Sequence, residues 1–139
     1  MLRLLRELQR LQDFGFSIQN RDYDLTIEFA GPGGSPFEGK MLKLQLQLSP
    51  RFPFEPPSAA FLTPVCHPNI DDQGKICMDL LKLPPAGVWK PTVDLVSVVL
   101  AVKHLLAEPN LDSPLLPSIA RLYREDYAAY CQLVQEKLK

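Results

Sequence analysis

The segment 67–79 brings together the side chains of this sequence that are best suited to chemistry. It holds an imidazole at His67, a side-chain amide at Asn69 and a thiol at Cys77, with a Gln-Gly dipeptide at 73–74 between the amide and the thiol. A dipeptide of this kind is typical of a turn, so the chain can fold back on itself there and bring the three groups together. The pattern predicts a functional site at Cys77.

Three interpretations of this segment follow from the residues alone. A zinc site needs four ligands, but Cys66, His67 and Cys77 lack the paired Cys or His spacing that fixes tetrahedral geometry. A cysteine hydrolase would use Cys77 as nucleophile and His67 as base, but Pro68 holds that imidazole rigidly and no third group is placed to orient it. In the third interpretation, Cys77 is only a small buried hydrophobic residue. The residues predict neither a metal site nor a cofactor site.

Length and composition are those of one small protein. A chain of 139 residues with 46% hydrophobic content closes a single core but not two, so we predict one domain over 1–139. The net charge of -1 gives no bulk attraction to nucleic acid or anionic membranes, and no apolar run approaches the roughly 20 residues of a membrane span. Three cysteines do not make a disulfide framework. We expect a monomer of the cytoplasm or nucleus that binds neither nucleic acid nor membrane.

The spacing of apolar residues predicts an α+β fold. Leucines at helical spacing predict an amphipathic helix over 2–12, and alternating apolar residues predict strands within 14–18, 25–29 and 42–48. Short turns join these strands, with a fourth at 59–62, into a four-stranded antiparallel meander. Residues 92–107 are apolar almost all round, which is typical of a buried central helix on which the sheet packs.

Two further helices are predicted at the C-terminal end. Ser113-Pro114 has the pattern of an N-cap followed by a proline in the first turn. The last element shows a helical stripe from Tyr127 to Leu138, in which Cys131 belongs to the core. Between the thiol segment and Trp89, residues 83–88 form a stiff, proline-containing loop.

The thiol segment resembles the active-site signature of ubiquitin-conjugating enzymes. In this sequence His67-Pro68-Asn69 is followed, eight residues after the asparagine, by a cysteine in the setting Gly-Lys-Ile-Cys-Met-Asp. Other family landmarks stand in the family's order along nearly the whole chain, at 35–39, 52–57, 89–91 and 108–110. The resemblance implies the UBC fold, and the combination of 81–85 with 89–91 most resembles the branch that serves the Fanconi anaemia DNA-repair pathway.

The resemblance implies a thioester mechanism. Ubiquitin would pass from the activating enzyme to Cys77 and then, usually with a RING-type ligase, to the lysine of a protein substrate. Cysteine suits both steps because a thiolate is a good nucleophile and a good leaving group. By resemblance, Asn69 donates a hydrogen bond to the developing oxyanion. Its alternative role, which can coexist with the first, is to brace the loop by hydrogen bonds to the backbone. His67 fixes the conformation of the segment. The rival functions are a carrier of another ubiquitin-like modifier and a non-catalytic ubiquitin-binding scaffold.

One position departs from the family pattern. Many relatives carry an aspartate that helps the incoming lysine at the position after Asp112, where this chain has Ser113, whose hydroxyl is no base at neutral pH. Asp112 and Asp79 are the substitutes that the sequence offers.

Partner-binding residues are also implied by the resemblance. Ligase docking would use Arg3 and Arg6 of the first helix, Phe54 in the proline-rich turn, and Pro91. From periodicity alone the arginines belong to a solvated face, and the ring of Phe54 is either an exposed anchor or folded over the core.

Overall fold

The computed structural model describes residues 2–139 and has the predicted α+β architecture. Helix α1 precedes four strands, and three helices follow the segment that carries the thiol. The elements are α1 (Leu2–Asp13), β1 (Ser17–Arg21), β2 (Asp24–Ala30), β3 (Met41–Gln47), β4 (Ser58–Phe61), a short 3-10 helix (Asp79–Leu81), α2 (Leu95–Ala107), α3 (Pro117–Glu125) and α4 (Tyr127–Leu138).

The four strands form an antiparallel sheet in the order β1-β2-β3-β4, which confirms the predicted meander. Its register aligns buried side chains across the strands: Ile27 pairs with Leu44, and Leu44 pairs with Phe61. In β2 and β3 buried residues alternate with more exposed ones, so one face of the sheet is covered. Helix α2 supplies buried residues, including Val98 and Val102, to the same hydrophobic cluster. The central helix is therefore the layer that covers the sheet.

The first strand begins later than predicted, at Ser17. Helix α1 ends in a turn where Gly15 has φ +101° and the N–H of Phe16 donates to the carbonyl of Leu11 at 3.1 Å. A positive φ favours glycine and is common just beyond a helix C-terminus. Phe14 is exposed in this turn and its ring stacks on that of Phe16 at 5.5 Å. The alternating apolar residues at 14–18 therefore belong partly to the turn that ends α1 and partly to β1.

The central helix begins at Leu95, three residues after the predicted start at position 92. Asp94 is its N-cap, and the carboxylate of Asp94 accepts the N–H of Ser97 at 2.8 Å. An aspartate in this position satisfies one of the free N–H groups of the first turn and sets the helix boundary.

The predicted helix start at Ser113-Pro114 is wrong, because α3 begins at Pro117. A residue that precedes a proline is disfavoured in the helical region, so Leu116 cannot extend the helix backwards. Its N–H donates instead to the carbonyl of Pro68, at 3.1 Å, and so ties this segment to the thiol region.

Candidate active site around Cys77

A tight hairpin carries the thiol. The N–H of Cys77 donates to the carbonyl of Asn69 at 3.1 Å, and Ile70 and Ile76 form a bridge one residue further along. The turn requires Gly74, which has φ +86° and whose missing Cβ would lie 2.2 Å from a backbone oxygen of β4. The two isoleucines are buried. Because side chains alternate along paired strands, the half-buried side chain of Cys77 faces away from that core.

His67 is fully buried beneath the hairpin. Its Nδ1 accepts the N–H of Asn69 at 3.0 Å, so Nε2 carries the hydrogen and donates to the carbonyl of Leu105 in α2 at 2.7 Å. Burial lowers the pKa of His67 to about 4, while the hydrogen bond to Leu105 opposes that shift. The ring is therefore neutral at pH 7, and both of its nitrogens are engaged in holding the chain.

Asn69 ties the hairpin to the segment that follows α2. Its side-chain oxygen accepts the N–H of Asn110 and its amide nitrogen donates to the carbonyl of Asn110, both at 2.9 Å. These two bonds use the oxygen and one N–H of the amide. The second amide N–H has no hydrogen-bond partner among residues 2–139.

Cys77 lines an open groove of about 540 Å³. The groove is partly apolar, and Lys75, Lys82 and Asp71 bring charge to it. Its walls come from residues 56–59, 75–78 and 81–82, together with Asp71 and Leu115. The arrangement offers a thiol that is accessible to an extended chain and to a small nucleophile.

The carboxylates that the sequence suggested lie elsewhere. Asp79 opens the short 3-10 helix, and Asp112 lies on a surface that it shares with Arg121 and Arg124. Both are exposed, as is Ser113, and none of the three lines the groove.

Asp71 is the groove residue that sequence reasoning missed. It lies on the Cys77 side of the hairpin, two residues after Asn69. A signal was available, because in a hairpin that turns at 73–74 every second residue shares a face.

Comparison with known proteins identifies the family of this fold and site. A family model described as ubiquitin-conjugating enzyme matches residues 3–138. The chain belongs to the ubiquitin-conjugating enzyme family. Its structure is similar to the E2 domain of a Toxoplasma gondii ubiquitin conjugating enzyme, with a TM-score of 0.86 and 31% identity over 99% of this chain and 94% of that one. The predicted UBC fold is thereby confirmed.

Relatives named ubiquitin-conjugating enzyme E2 T are also similar to this chain. The Xenopus laevis protein is 40% identical over 134 residues, which are 92% of this chain and 70% of that protein. The human protein is 41% identical over 107 residues, which are 77% of this chain and 54% of that protein. The chain thus spans between about half and 70% of the length of these two relatives.

In this member of the ubiquitin-conjugating enzyme family, Arg3 makes contacts within the chain. Its guanidinium donates to the carbonyls of Pro91 and Val93, each at 3.0 Å, and lies 5.6 Å from the centroid of the Phe52 ring. These contacts place Arg3 and Pro91, two of the expected docking residues, side by side. They also mean that Arg3 braces the loop before α2 and is not a free surface charge.

Phe54 is the exposed aromatic of the proline-rich turn, with 67% of its surface accessible. The turn is fixed to the core by Trp89, whose indole N–H donates to the carbonyl of Pro53 at 2.9 Å. Arg6 is exposed and has no hydrogen bond or ion pair among residues 2–139. The ring of Phe54 and the charge of Arg6 are therefore both accessible.

A buried carboxylate fixes α1 against the central helix. Glu7 is only 2% exposed and accepts the N–H of Leu95 at 2.9 Å, and Arg10 pairs with Asp94 at 2.8 Å. A carboxylate at a helix N-terminus satisfies a free N–H and interacts favourably with the helix dipole. The orientation of α1 is thus set at the start of α2.

The other two cysteines occupy different surroundings. Cys66 packs against the core and lines a second groove, of about 520 Å³, and burial raises the pKa of the Cys66 thiol. Cys131 is half-buried on α4 and packs against the core. Within residues 2–139 no cluster of His, Cys, Asp or Glu could hold a metal ion, and no helix is long and apolar enough to cross a membrane.

Proposed function

We propose that this chain accepts ubiquitin from the activating enzyme as a thioester on Cys77 and transfers it to a substrate lysine with a RING-type ligase. The observation that carries the proposal is the position of Cys77 in a family member: the thiol emerges from a rigid hairpin into an open groove. A groove suits the extended C-terminal tail of a modifier, and an accessible thiol suits exchange between carriers.

Each transfer breaks one bond to sulfur and forms another bond to the acyl carbon. The Cys77 thiolate attacks the thioester on the activating enzyme and releases that enzyme's thiolate. A lysine amine then attacks the new thioester, and Cys77 leaves as a thiolate while an amide forms. The free N–H of Asn69 stabilises the oxyanion of the second step, and the buried ring of His67 holds the backbone of Asn69 in place. Asp79 and Ser113 lie outside the groove. Asp79 acts on the incoming lysine through its negative charge, and Ser113 occupies the position at which many relatives carry an aspartate.

Ligase docking uses the surface formed by Arg3, Arg6, Phe54 and Pro91. Arg3 holds Pro91 in place, and Phe54 and Arg6 supply an accessible ring and charge. An exposed aromatic on a braced turn is typical of an interface anchor. Because activating enzyme and ligase share the first helix, Arg6 contributes to both steps.

The wider setting follows the resemblance to the Fanconi branch. The chain acts as a monomeric domain over 1–139, in the cytoplasm or nucleus, and serves DNA repair by modifying a protein substrate. It does so without cofactor, metal, nucleic acid or membrane. The single hydrophobic cluster that joins the sheet to α2 supports one domain.

The test is a mass measurement after incubation with activating enzyme, ATP and ubiquitin. The unsubstituted chain and the variants Cys66→Ser and Cys131→Ser should each gain one ubiquitin that thiol reductant removes. Cys77→Ser should form a slower adduct that resists the reductant, because an oxyester replaces the thioester. A labile adduct on Cys77→Ser, or none on the unsubstituted chain, would refute the proposal. Parallel reactions with other ubiquitin-like modifiers and their own activating enzymes identify the modifier.

A further inference from the structure

The groove around Cys77 contains one carboxylate. Asp71 lines its wall, and among residues 2–139 no other acidic side chain does so. Two lysines, Lys75 and Lys82, also line the groove, so among residues 2–139 Asp71 is the only lining side chain with a negative charge. An incoming substrate lysine brings a positive charge into the groove, where the carboxylate of Asp71 attracts it.

The register of the hairpin places Asp71 on the same face as Cys77. The N–H of Cys77 bonds to the carbonyl of Asn69, and the N–H of Asp71 bonds to the carbonyl of Lys75 at 3.0 Å. Asp71 and Cys77 are therefore diagonal neighbours across the hairpin, and such neighbours have backbones about 7–8 Å apart. An amine that attacks an acyl group on the sulfur has room between the two side chains.

The carboxylate of Asp71 is held by one oxygen only. Its Oδ1 accepts the N–H groups of Gln73 and Lys75, each at 2.9 Å. Among residues 2–139 no hydrogen bond or ion pair engages its Oδ2, and no lysine of the groove pairs with it. One oxygen thus stabilises the turn, while the other is free to bind a ligand.

We propose that Asp71 binds the ammonium group of the incoming lysine and positions it for attack on the Cys77 thioester, an inference that rests on the function proposed above. The ammonium gives up one proton to water before attack, and the Asp71 carboxylate then accepts an N–H of the neutral amine. A second proton passes to water as the amide forms. The electrons of the carbon–sulfur bond return to the Cys77 sulfur. Asp71 is unchanged at the end, and its contribution is to hold the nucleophile beside the acyl carbon.

The test is Asp71→Asn, which keeps an Oδ1 for both backbone N–H groups but removes the charge. From fully charged enzyme at low salt, the second-order rate constant for discharge to free lysine should fall about fivefold. That factor corresponds to about 1 kcal/mol, the interaction of two unit charges 4 Å apart in water. Discharge to hydroxylamine, a neutral nucleophile, should be unchanged, and the loss for lysine should shrink in 1 M salt.

The neighbouring carboxylate supplies a matched control. Asp72 follows Asp71 in the chain but lines the other groove, so Asp72→Asn should discharge to lysine at the unsubstituted rate. An unchanged lysine rate in Asp71→Asn would overturn the inference. Equal losses with lysine and hydroxylamine would also overturn it, because they would show only a structural role. Failure of the unsubstituted chain to charge at all would instead refute the proposed function, and charging is measured before discharge begins.

Discussion

Two grooves of nearly equal size are both lined in part by the segment 65–78, which contains His67. Each groove is lined by a cysteine and an aspartate: Cys77 and Asp71 in a groove of about 540 Å³, Cys66 and Asp72 in one of about 520 Å³. The two grooves share these residue types, but the two cysteines lie in different backbone structures. Cys77 stands on a hairpin whose buried residues alternate with exposed ones, whereas Cys66 packs against the core, where burial raises the pKa of its thiol.

The comparison shows that a thiol and a carboxylate do not make a site by themselves. Consecutive aspartates line different grooves, because Asp71 is paired with Lys75 in the hairpin whereas Asp72 lies in the turn, which the N–H of Gly74 closes by donating to the carbonyl of Asp71 at 2.9 Å. Only Cys77 lies on the hairpin that Asn69 ties to the segment after α2, through the two hydrogen bonds between Asn69 and Asn110. This difference leads to four predictions.

The largest expected effect concerns His67, which lies in the segment 65–78. His67 has a pKa of about 4 in the folded protein and about 6.5 in an unfolded chain, so between these values the unfolded state binds more protons. The contribution of His67 is complete above pH 6.5 and is lost as the pH falls towards 4. It amounts to about 3 kcal/mol in the free energy of unfolding, which urea titrations across this range measure.

The control for this prediction is the exposed His104. His104→Gln should show the same loss of stability in acid as the unsubstituted protein, whereas in His67→Gln the loss should be smaller by about 3 kcal/mol. Identical acid profiles for all three proteins would show that His67 does not control the stability of this segment.

The next prediction compares a substitution on the proposed docking surface with one in the groove that Cys66 lines. Phe54→Ala should weaken RING ligase binding by about 2 kcal/mol, or about thirtyfold, because an exposed aromatic anchor is removed. Leu133, a partly exposed residue of the Cys66 groove, supplies the matched control, and Leu133→Ala should bind the ligase normally. Calorimetric titration measures the affinities, and charging with ubiquitin should remain normal in both variants. Equal losses in the two variants would contradict a docking role specific to Phe54.

A smaller effect distinguishes the two thiols directly. At pH 7, iodoacetamide should modify Cys77 faster than Cys66, because burial raises the pKa of the Cys66 thiol and the thiolate is the reactive form. Timed alkylation followed by peptide mass mapping gives both rates in one sample, and the urea-unfolded chain serves as the reference. Equal rates in the folded protein at pH 7 would mean that the two grooves do not differ in thiol reactivity.

The smallest effect is expected at Ser113. Ser113→Asp should raise discharge of the Cys77 thioester to free lysine about threefold at neutral pH, because it adds a negative charge two residues before Leu115, which lines the groove. The measurement is single-turnover discharge from charged enzyme between pH 7 and 9. In combination with Asp71→Asn, the substitution should recover part of the lost rate. An unchanged rate in both backgrounds would place this position too far from the amine to act on it.

Much of the fold was predictable because each element shows its own periodicity. The alternation of β2 and β3 and the apolar surface of α2 predicted the meander and its covering helix. Boundaries were less predictable, since they depend on single contacts. Asp94 delays the central helix, and Pro117 prevents α3 from starting at Ser113.

The site was predictable in part. The thiol and the amide were recognised from their spacing, and the roles assigned to Cys77, Asn69 and His67 remain predictions. The groove carboxylate was not recognised, because reasoning from relatives directed attention to Asp79 and to the region after Asp112. Asp71 becomes visible only when the pairing of the hairpin is known.

The sequence by itself determined the element types, the meander and the family, since these depend on local periodicity and on motifs that are contiguous in the chain. The tertiary structure alone decided which aspartate shares a groove with Cys77, that Arg3 contacts Pro91 and Val93, and that the ring of Phe54 is exposed. The physical reason is that these facts are set by register and by packing between distant segments. A change of one residue in the register of the hairpin would move Asp71 to the face opposite Cys77.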